Sequence, residues 1–460
     1  MMKEYDAIVI GSGGGAKIAR PAADLGYSVA IIEEGPLGGT CLNRGCIPSK
    51  MLIHTADIAT IIQEANRFML HKEGELEVDY ESIIDWCIST VDEESQSIAP
   101  RYEAHPKLDF YPHHGRFISD KVIEVNGEQI TAKKIFIATG ARESIPSIKG
   151  LENTPYLTST SALRLRKQPK KMIVIGGGYI AVELGYFFAA LGTKVDFLVR
   201  ECMVRSSDAD LRKEFEKHFS ERFPVHFGAS PKSISYENEM FTVSYSKSDG
   251  KEAQLEADAL LLATGVRPNT DQLGLENTGI RLSEKGHVLV DNHLETSVPG
   301  VYAFGDCLGR YLFRHTANFE GEYLFRGHFS DPNDLPLEYR AIPHAVFSNP
   351  QLAGVGKTEE ELKKEGIEYI VGINRYRDSA MGMALRQDQG LVKLLFEKHS
   401  QKLIGAHIIG EEASNMIHMC IAYMHMGATL KDMLDTIYIH PALPETIRNA
   451  ARKAAANLSS

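Results

Sequence analysis

Two cysteines five positions apart, Cys41 and Cys46, stand in the segment GGTCLNRGCIPSK, residues 38–50. Thiols so placed can ligate a metal, form a structural disulfide or act as a redox pair. A zinc site needs further Cys or His ligands at close spacing, and the neighbouring sequence offers none. The six cysteines, at 41, 46, 87, 202, 307 and 420 of 460 residues, make one close pair and no dense framework of the secreted type. Redox chemistry is the favoured reading of the three. An ideal helix separates residues five apart by about 7.5 Å along its axis, whereas a disulfide wants Cα atoms within about 7 Å. A bond therefore needs a distorted turn, which Gly45 can supply. The run SKMLIHTADIATIIQEANRF that follows reads as a long helix, and a thiol at its start feels the positive end of the helix dipole, which favours thiolate.

The elements that must position these thiols come in two copies. YDAIVIG, Tyr5 to Gly11, is a buried strand ending at a glycine cluster; AKIARPAADLG opens a helix, and YSVAIIEEG is a second strand ending in acid. Gly11, Gly13 and Ala16 occupy the G-x-G-x-x-G/A positions, and Glu33 is placed for a ribose hydroxyl. Glycines let the backbone approach a pyrophosphate, and the helix start offers free N–H groups to it. KKMIVIGGGYIAVELGYFFAALGTKVDFLVR, Lys170 to Arg200, repeats the grammar with Gly176, Gly178 and Ala181. Matched phrases follow each copy, KKIFIATGA at 133–141 and ADALLLATGVRPN at 257–269. Two nucleotide sites in one chain suggest a flavin and a nicotinamide. Where the first copy has Glu33, the second has Arg200 followed by Arg205, a pairing suited to a 2′-phosphate and hence to NADPH.

The formal net charge of −11 argues against a broad nucleic-acid surface. No run reaches the roughly 18 apolar residues of a membrane span, and the N-terminus lacks a leader pattern. The expectation is a soluble, cytoplasmic protein with no metal site.

GGTCLNRGCIPSK resembles the active-site signature of the pyridine nucleotide-disulfide oxidoreductases, the flavoprotein family of glutathione reductase, dihydrolipoamide dehydrogenase, mycothione reductase and mercuric reductase. The likeness runs on through TSVPGVYAFGD at 296–306, IPHAVFSNPQLAGVG at 342–356 and IHPALPE at 439–445. It implies an α/β fold of two Rossmann-like dinucleotide-binding domains, for FAD and NAD(P)H, and a C-terminal α+β dimerisation domain. The implied ranges are 1–150 with 273–335 for FAD, 151–272 for NAD(P)H and 336–460 for the interface, with a linker in Gly327–Pro343.

The resemblance assigns roles by position. Cys46 would be the thiol nearest the flavin and Cys41 the one that attacks a substrate disulfide. Asp306 would bind the ribityl region of FAD, with Gly11, Gly13, Gly15, Glu33, Thr40, Thr139 and Gly140 also on FAD. Lys50 would lie near the flavin and pair with Glu183. Tyr179 would cover the nicotinamide pocket, which Gly176, Gly178, Arg200, Arg205 and Gly265 complete. His440, kept from helical geometry by Pro441 and oriented by Glu445, would serve as acid–base group across a homodimer interface. Glu445 also opens an alanine-rich run that reads as a helix.

The substrate is less legible. No cysteine follows Cys420, which demotes mercuric reductase and the larger thioredoxin reductases. Tyr438 stands where dihydrolipoamide dehydrogenases usually have His, and Arg200 where they keep an acid. Arg20 and Tyr102 fall where glutathione reductase contacts its substrate. The expectation is an NADPH-dependent reductase of a small-molecule disulfide. The alternative is dihydrolipoamide dehydrogenase, using NADH/NAD within a 2-oxoacid dehydrogenase complex. An electron carrier with inert cysteines is a third class, opposed by the full set of Cys41, Cys46, His440 and Glu445.

Overall fold

A computed structural model describes residues 2–71, 73–331 and 335–458. Strand β1 (Lys3–Ile10) is buried continuously from Ala7 to Ile10, as expected of a parallel strand covered on both faces. It passes through the first glycine turn into α1 (Ala16–Asp24), which buries Ile18, Ala19, Ala22 and Ala23, and returns as β2 (Val29–Ile32). Ala7 stands opposite Val29 and Ile10 opposite Ile32. Helices α2 (Gly39–Arg44), α3 (Cys46–Gln63), α4 (Tyr80–Gln96) and α5 (Ile98–Glu103) follow, then β3 (Leu108–Tyr111), β4 (Gly115–Ser119), β5 (Val122–Val125) and β6 (Glu128–Ile137). The sheet order is β3-β2-β1-β6-β5-β4.

After β7 (Ala141–Glu143) and α6 (Ser159–Ala162), the grammar repeats in β8 (Lys171–Ile175), α7 (Tyr179–Ala190) and β9 (Lys194–Val199). Next come α8 (Ala209–Arg222), β10 (Val225–Phe227), the antiparallel trio β11 (Ser230–Glu237), β12 (Met240–Ser246) and β13 (Glu252–Ala257), then β14 (Ala259–Leu262). The second parallel sheet runs β10-β9-β8-β14. Strand β15 (Val266–Pro268) pairs with β7, and β16 (Val301–Ala303) returns to the first sheet beside β6. Leu52, Ile53 and Ala56 of α3 share a core with Phe187 and Phe188 of α7. The helix that starts at Cys46 is thereby held against the second nucleotide unit.

Helix α9 (Arg314–Phe325) runs on through a wider π turn over Arg326–Ser330, so the linker begins beyond Ser330 rather than at Gly327. Phe329 is the reason: it is buried, with its ring centroid 5.0 Å from Tyr27 and 6.0 Å from Phe136. Pro332, Asn333 and Asp334 of that segment lie outside the described residues.

The remaining chain builds an antiparallel sheet, β17-β18-β21-β20-β19, from β17 (Pro343–Val346), β18 (Leu352–Gly356), β19 (Tyr369–Arg375), β20 (Leu391–Glu397) and β21 (Leu403–Ile409). Helices α10 (Glu359–Glu365), α11 (Ala380–Ala384), α12 (Ala413–His425), α13 (Leu430–Asp435) and α14 (Glu445–Leu458) accompany it. Lys393, 1 % exposed, ties this unit to the second: its Nζ lies 2.9 Å from Asp208, 2.7 Å from Asp210 and 2.6 Å from Glu359. Asp208 also caps the start of α8. A buried ammonium is tolerated only with such multiple compensation. Among the described residues no helix is long and apolar enough to cross a membrane.

Candidate active site

Gly11 sits at φ +101°, and a Cβ there would lie 2.3 Å from the Ala138 carbonyl oxygen. Only glycine permits that approach. Glu33, at the end of β2, bends back into the turn. Ser12 N and Oγ both donate to its Oε2 at 2.8 Å, and Gly35 N donates to Oε1 at 3.0 Å. Gly13 faces Gly39, the first residue of α2, and Gly15 packs on the Gly11 carbonyl. On the far side Asn269 N donates to the Gly140 carbonyl at 3.0 Å and Asn269 Nδ2 to the Thr139 carbonyl at 2.9 Å, while Thr139 Oγ1 is buried with no partner among the described residues. Burial, then the neighbouring Glu320, pushes the Asp306 carboxyl up to about 6, against the opposing charge of Arg314. A glycine turn at a helix start, an orphaned buried hydroxyl and a carboxyl without a bonded cation fit a dinucleotide such as FAD.

The thiols sit where two helices break. Helix α2 carries Cys41 and ends at Arg44; α3 begins at Cys46 itself, earlier than the run after the cysteines suggests. At Gly45 between them, a Cβ would meet the Thr40 carbonyl oxygen at 2.9 Å, so the break requires glycine. Thr40 thus supplies the carbonyl under the bend, and its side chain is exposed. Asn43 braces α2 by donating to the carbonyls of Pro36, Leu37 and Gly39 at 3.2, 2.9 and 3.0 Å.

Both cysteines are free thiols within interacting reach of each other. The interaction with Cys46 draws Cys41 down to about 7; burial works against it, and the charges of Arg314 and Lys50 assist. The interaction with Cys41 and burial push the Cys46 thiol up. The two titrate as a pair.

Lys50, one turn beyond Cys46, places Nζ 2.6 Å from Glu183 Oε2 of α7 and 4.4 Å from the centre of the Phe347 ring. Phe347 N donates to Glu183 Oε1 at 3.0 Å. Burial raises the Glu183 carboxyl, and Lys50 counters it. Tyr179, the first residue of α7, is 40 % exposed and lies within electrostatic reach of Asp306, Glu183 and Cys46.

The second turn repeats the first: Gly176 has φ +140°, and its Cβ would stand 2.2 Å from the Ala263 carbonyl oxygen. Gly178 precedes α7 with open space around it, and the Gly265 carbonyl accepts from Ser144 N at 2.9 Å. Arg200 and Arg205 are exposed and both lean on Glu201, Arg200 at 3.7 Å. That carboxylate partly offsets the cationic pair.

His440 Nδ1 lies 3.0 and 3.1 Å from the two carboxylate oxygens of buried Glu445, the first residue of α14. Ala442 N donates to Oε2 at 3.2 Å and Arg448 Nη2 to Oε1 at 2.7 Å. Burial pushes Glu445 up, but His440, the Ala442 amide and Arg448 together hold it below the ordinary carboxylate range. The His440 ring is 70 % exposed, and no hydrogen bond joins it to either thiol among the described residues of this single chain.

One of the two substrate expectations fails. Tyr102 is 5 % exposed, packed edge-on against Phe110 in the first core, and unavailable to a substrate. Arg20 lies on the solvent face of α1, 3.8 Å from Asp24 one turn on. Conversely, Arg314 at the start of α9 reaches the first glycine turn, its Nη1 3.4 Å from where a Gly13 Cβ would stand. Nothing in its local sequence signals this. Arg448 did carry a signal, the i, i+3 spacing from Glu445.

Residues 5–321 match the profile of the pyridine nucleotide-disulphide oxidoreductases, and residues 342–451 that of the family's dimerisation domain. The chain is similar to mycothione reductase of Mycobacterium tuberculosis, 34 % identical with 98 % of this chain and 99 % of the relative covered. It is equally similar to dihydrolipoyl dehydrogenase of Bacillus subtilis, 34 % identical over 98 % of this chain and 96 % of the relative. Among solved structures, the HOCl-induced flavoprotein disulfide reductase RclA from Escherichia coli superposes with a TM-score of 0.87 at 28 % identity, covering 97 % of this chain and 99 % of that one. Two glycine turns, a thiol pair beside the first and full-length likeness to three disulfide-handling flavoproteins converge: the chain belongs to the pyridine nucleotide-disulphide oxidoreductase family and is an NAD(P)H-dependent flavoprotein disulfide oxidoreductase.

Proposed function

We propose that the protein uses NADPH to reduce a low-molecular-weight disulfide, as mycothione and glutathione reductases do. The observation that carries this reading is the Cys41–Cys46 pair: two free thiols on either side of the helix break at Gly45, with Lys50 one turn beyond. Exposed Arg200 and Arg205 support the choice of NADPH. In this reading the FAD domain spans 1–150 and 273–335, the nucleotide domain 151–272 and the interface domain 336–460, in a cytoplasmic homodimer. Ile437 and Ile439, 97 and 81 % exposed beside His440, support a covering second copy.

Bound FAD would supply two-electron transfer between nicotinamide and the cysteine pair. Gly11, Gly13, Gly15, Thr40, Thr139, Gly140, Glu33 and Asp306 would hold it; Gly176, Gly178, Tyr179 and Gly265 would receive the nicotinamide nucleotide. Two electrons and two protons convert the Cys41–Cys46 disulfide into two thiols. Lys50, fixed by Glu183, keeps a positive charge near both sulfurs and favours thiolate. Cys41 thiolate attacks one sulfur of the substrate disulfide, and the departing thiolate takes a proton from His440, which Glu445 orients. Cys46 then attacks the sulfur of Cys41, releases the second substrate thiol and restores the internal disulfide.

A second reading, dihydrolipoamide dehydrogenase with NAD, is favoured by Glu201, whose carboxylate stands between the two arginines. Steady-state oxidation of NADPH and NADH, with lipoamide, glutathione disulfide and mycothiol disulfide as acceptors, separates the readings. NADPH preference with a small-thiol disulfide is expected; rapid NADH turnover with lipoamide would establish the second. Loss of turnover with FAD retained in Cys41→Ser tests the thiol step itself.

A further inference from the structure

Arg314 opens α9, and its guanidinium turns back across the molecule onto the first glycine turn. Nη1 lies 3.4 Å from the point a Gly13 Cβ would occupy, and Gly39 Cα faces the same point at 3.7 Å. The charge therefore sits where the first turn meets the start of α2. Its field reaches Cys41 and Asp306 and lowers both. Among the described residues, neither a salt bridge nor a hydrogen bond engages the Arg314 side chain, although it is partly buried. Arg142 and Arg212, also partly buried, each have a carboxylate.

A guanidinium has five donors and no acceptor, and withdrawing it from water without an anion is costly. The acid within electrostatic reach, Asp306, forms neither an ion pair nor a hydrogen bond with it among the described residues, and Glu33 of the same turn is committed to Ser12 and Gly35. The free amides at the start of α1 also favour an anion at this point. A phosphate satisfies all of these donors, and the arginine fork matches it with two parallel bonds. At the corresponding glycine of the second turn, Gly178, no side chain among the described residues comes within 4 Å of where a Cβ would stand.

We propose that Arg314 is a cofactor-binding residue that clamps the diphosphate bridge of FAD against the first glycine turn. The proposal rests on the reading that this turn holds FAD. It gives the flavin site a cation supplied from far along the chain, in addition to the helix start that the glycine motif provides.

The test follows FAD release from the yellow holoenzyme by flavin fluorescence after dilution, for wild type, Arg314→Ala, Arg314→Lys and the surface control Arg452→Ala. Loss of a charged bond to phosphate raises the dissociation constant of FAD in Arg314→Ala about tenfold or more. Arg314→Lys recovers part of the affinity, because lysine keeps the charge without the fork. Added salt hastens release from wild type and does so less in Arg314→Ala. If Arg314→Ala fails to fold by circular dichroism, the lysine variant and the salt dependence of wild type decide: tight, salt-insensitive FAD in both would overturn the proposal. Folded Arg314→Ala that keeps FAD as tightly as wild type overturns it as well. A wild-type protein that neither carries nor takes up FAD sinks the cofactor reading, and this proposal with it.

Discussion

The two glycine turns are near copies in backbone and differ in what stands around them. In each, a left-handed first glycine presses on an alanine carbonyl of the next parallel strand, Gly11 on Ala138 and Gly176 on Ala263. Those alanines begin the duplicated ATG phrases, so each phrase provides the surface that its glycine motif packs against. Beyond that shared contact they diverge. The first turn is closed by Glu33 from below and crossed by Arg314, while the second is open at Gly178 and ends in exposed arginines. Local sequence repeats the scaffold and sets the charge at the end of each second strand, while Arg314 comes to the first copy from elsewhere in the chain.

The sharpest way to break this comparison is to damage both turns identically. Gly11→Ala and Gly176→Ala each force a Cβ to within 2.3 Å or less of a carbonyl oxygen at positive φ. Flavin absorbance should be lost in Gly11→Ala but kept in Gly176→Ala, whose flavin reduction by NADPH should slow about a hundredfold, equivalent to roughly 2.7 kcal/mol. Loss of flavin from both variants would mean that the turns do not serve separate ligands.

Charge at the second copy is the next lever. Removing Arg200 or Arg205 should lower kcat/KM for NADPH about tenfold each and leave NADH unchanged, whereas Glu201→Ala should favour NADPH. Equal losses for both nucleotides would remove the specificity argument. At the first copy, iodoacetamide labelling of Cys41 should rise about tenfold between pH 6 and 8 around the midpoint near 7. Cys46→Ser should move that midpoint upward. Because the folded Cys41 is more acidic than the unfolded thiol, its contribution to stability is complete above the unfolded value near 9 and fades as pH falls through 7. The smallest effect should come from Glu33→Gln, which loses one of three accepted bonds, costs about 1 kcal/mol and lowers Tm by about 2 °C.

Much of the site was legible before any coordinates. The break at Gly45, the strand–turn–helix order of both copies and the helix opened by Glu445 all appear where their residues suggest. These features depend on hydrogen bonds and apolar spacing within a few residues, which the local sequence carries. The charge of Arg314 beside Cys41 was not legible, because it arrives from a helix far along the chain. Tyr102 reads as a substrate contact by position, yet packing against Phe110 encloses it.

Sequence by itself determined the class of chemistry, the two nucleotide scaffolds and the pair of thiols, since glycine geometry, strand burial and cysteine spacing are properties of short segments. Tertiary structure alone decided which charges meet. Lys50 reaches Glu183 across 133 positions, and Arg314 arrives over Gly13 from a helix that begins after the second unit has been built. Electrostatic interactions act through space, and only the packed fold sets those separations.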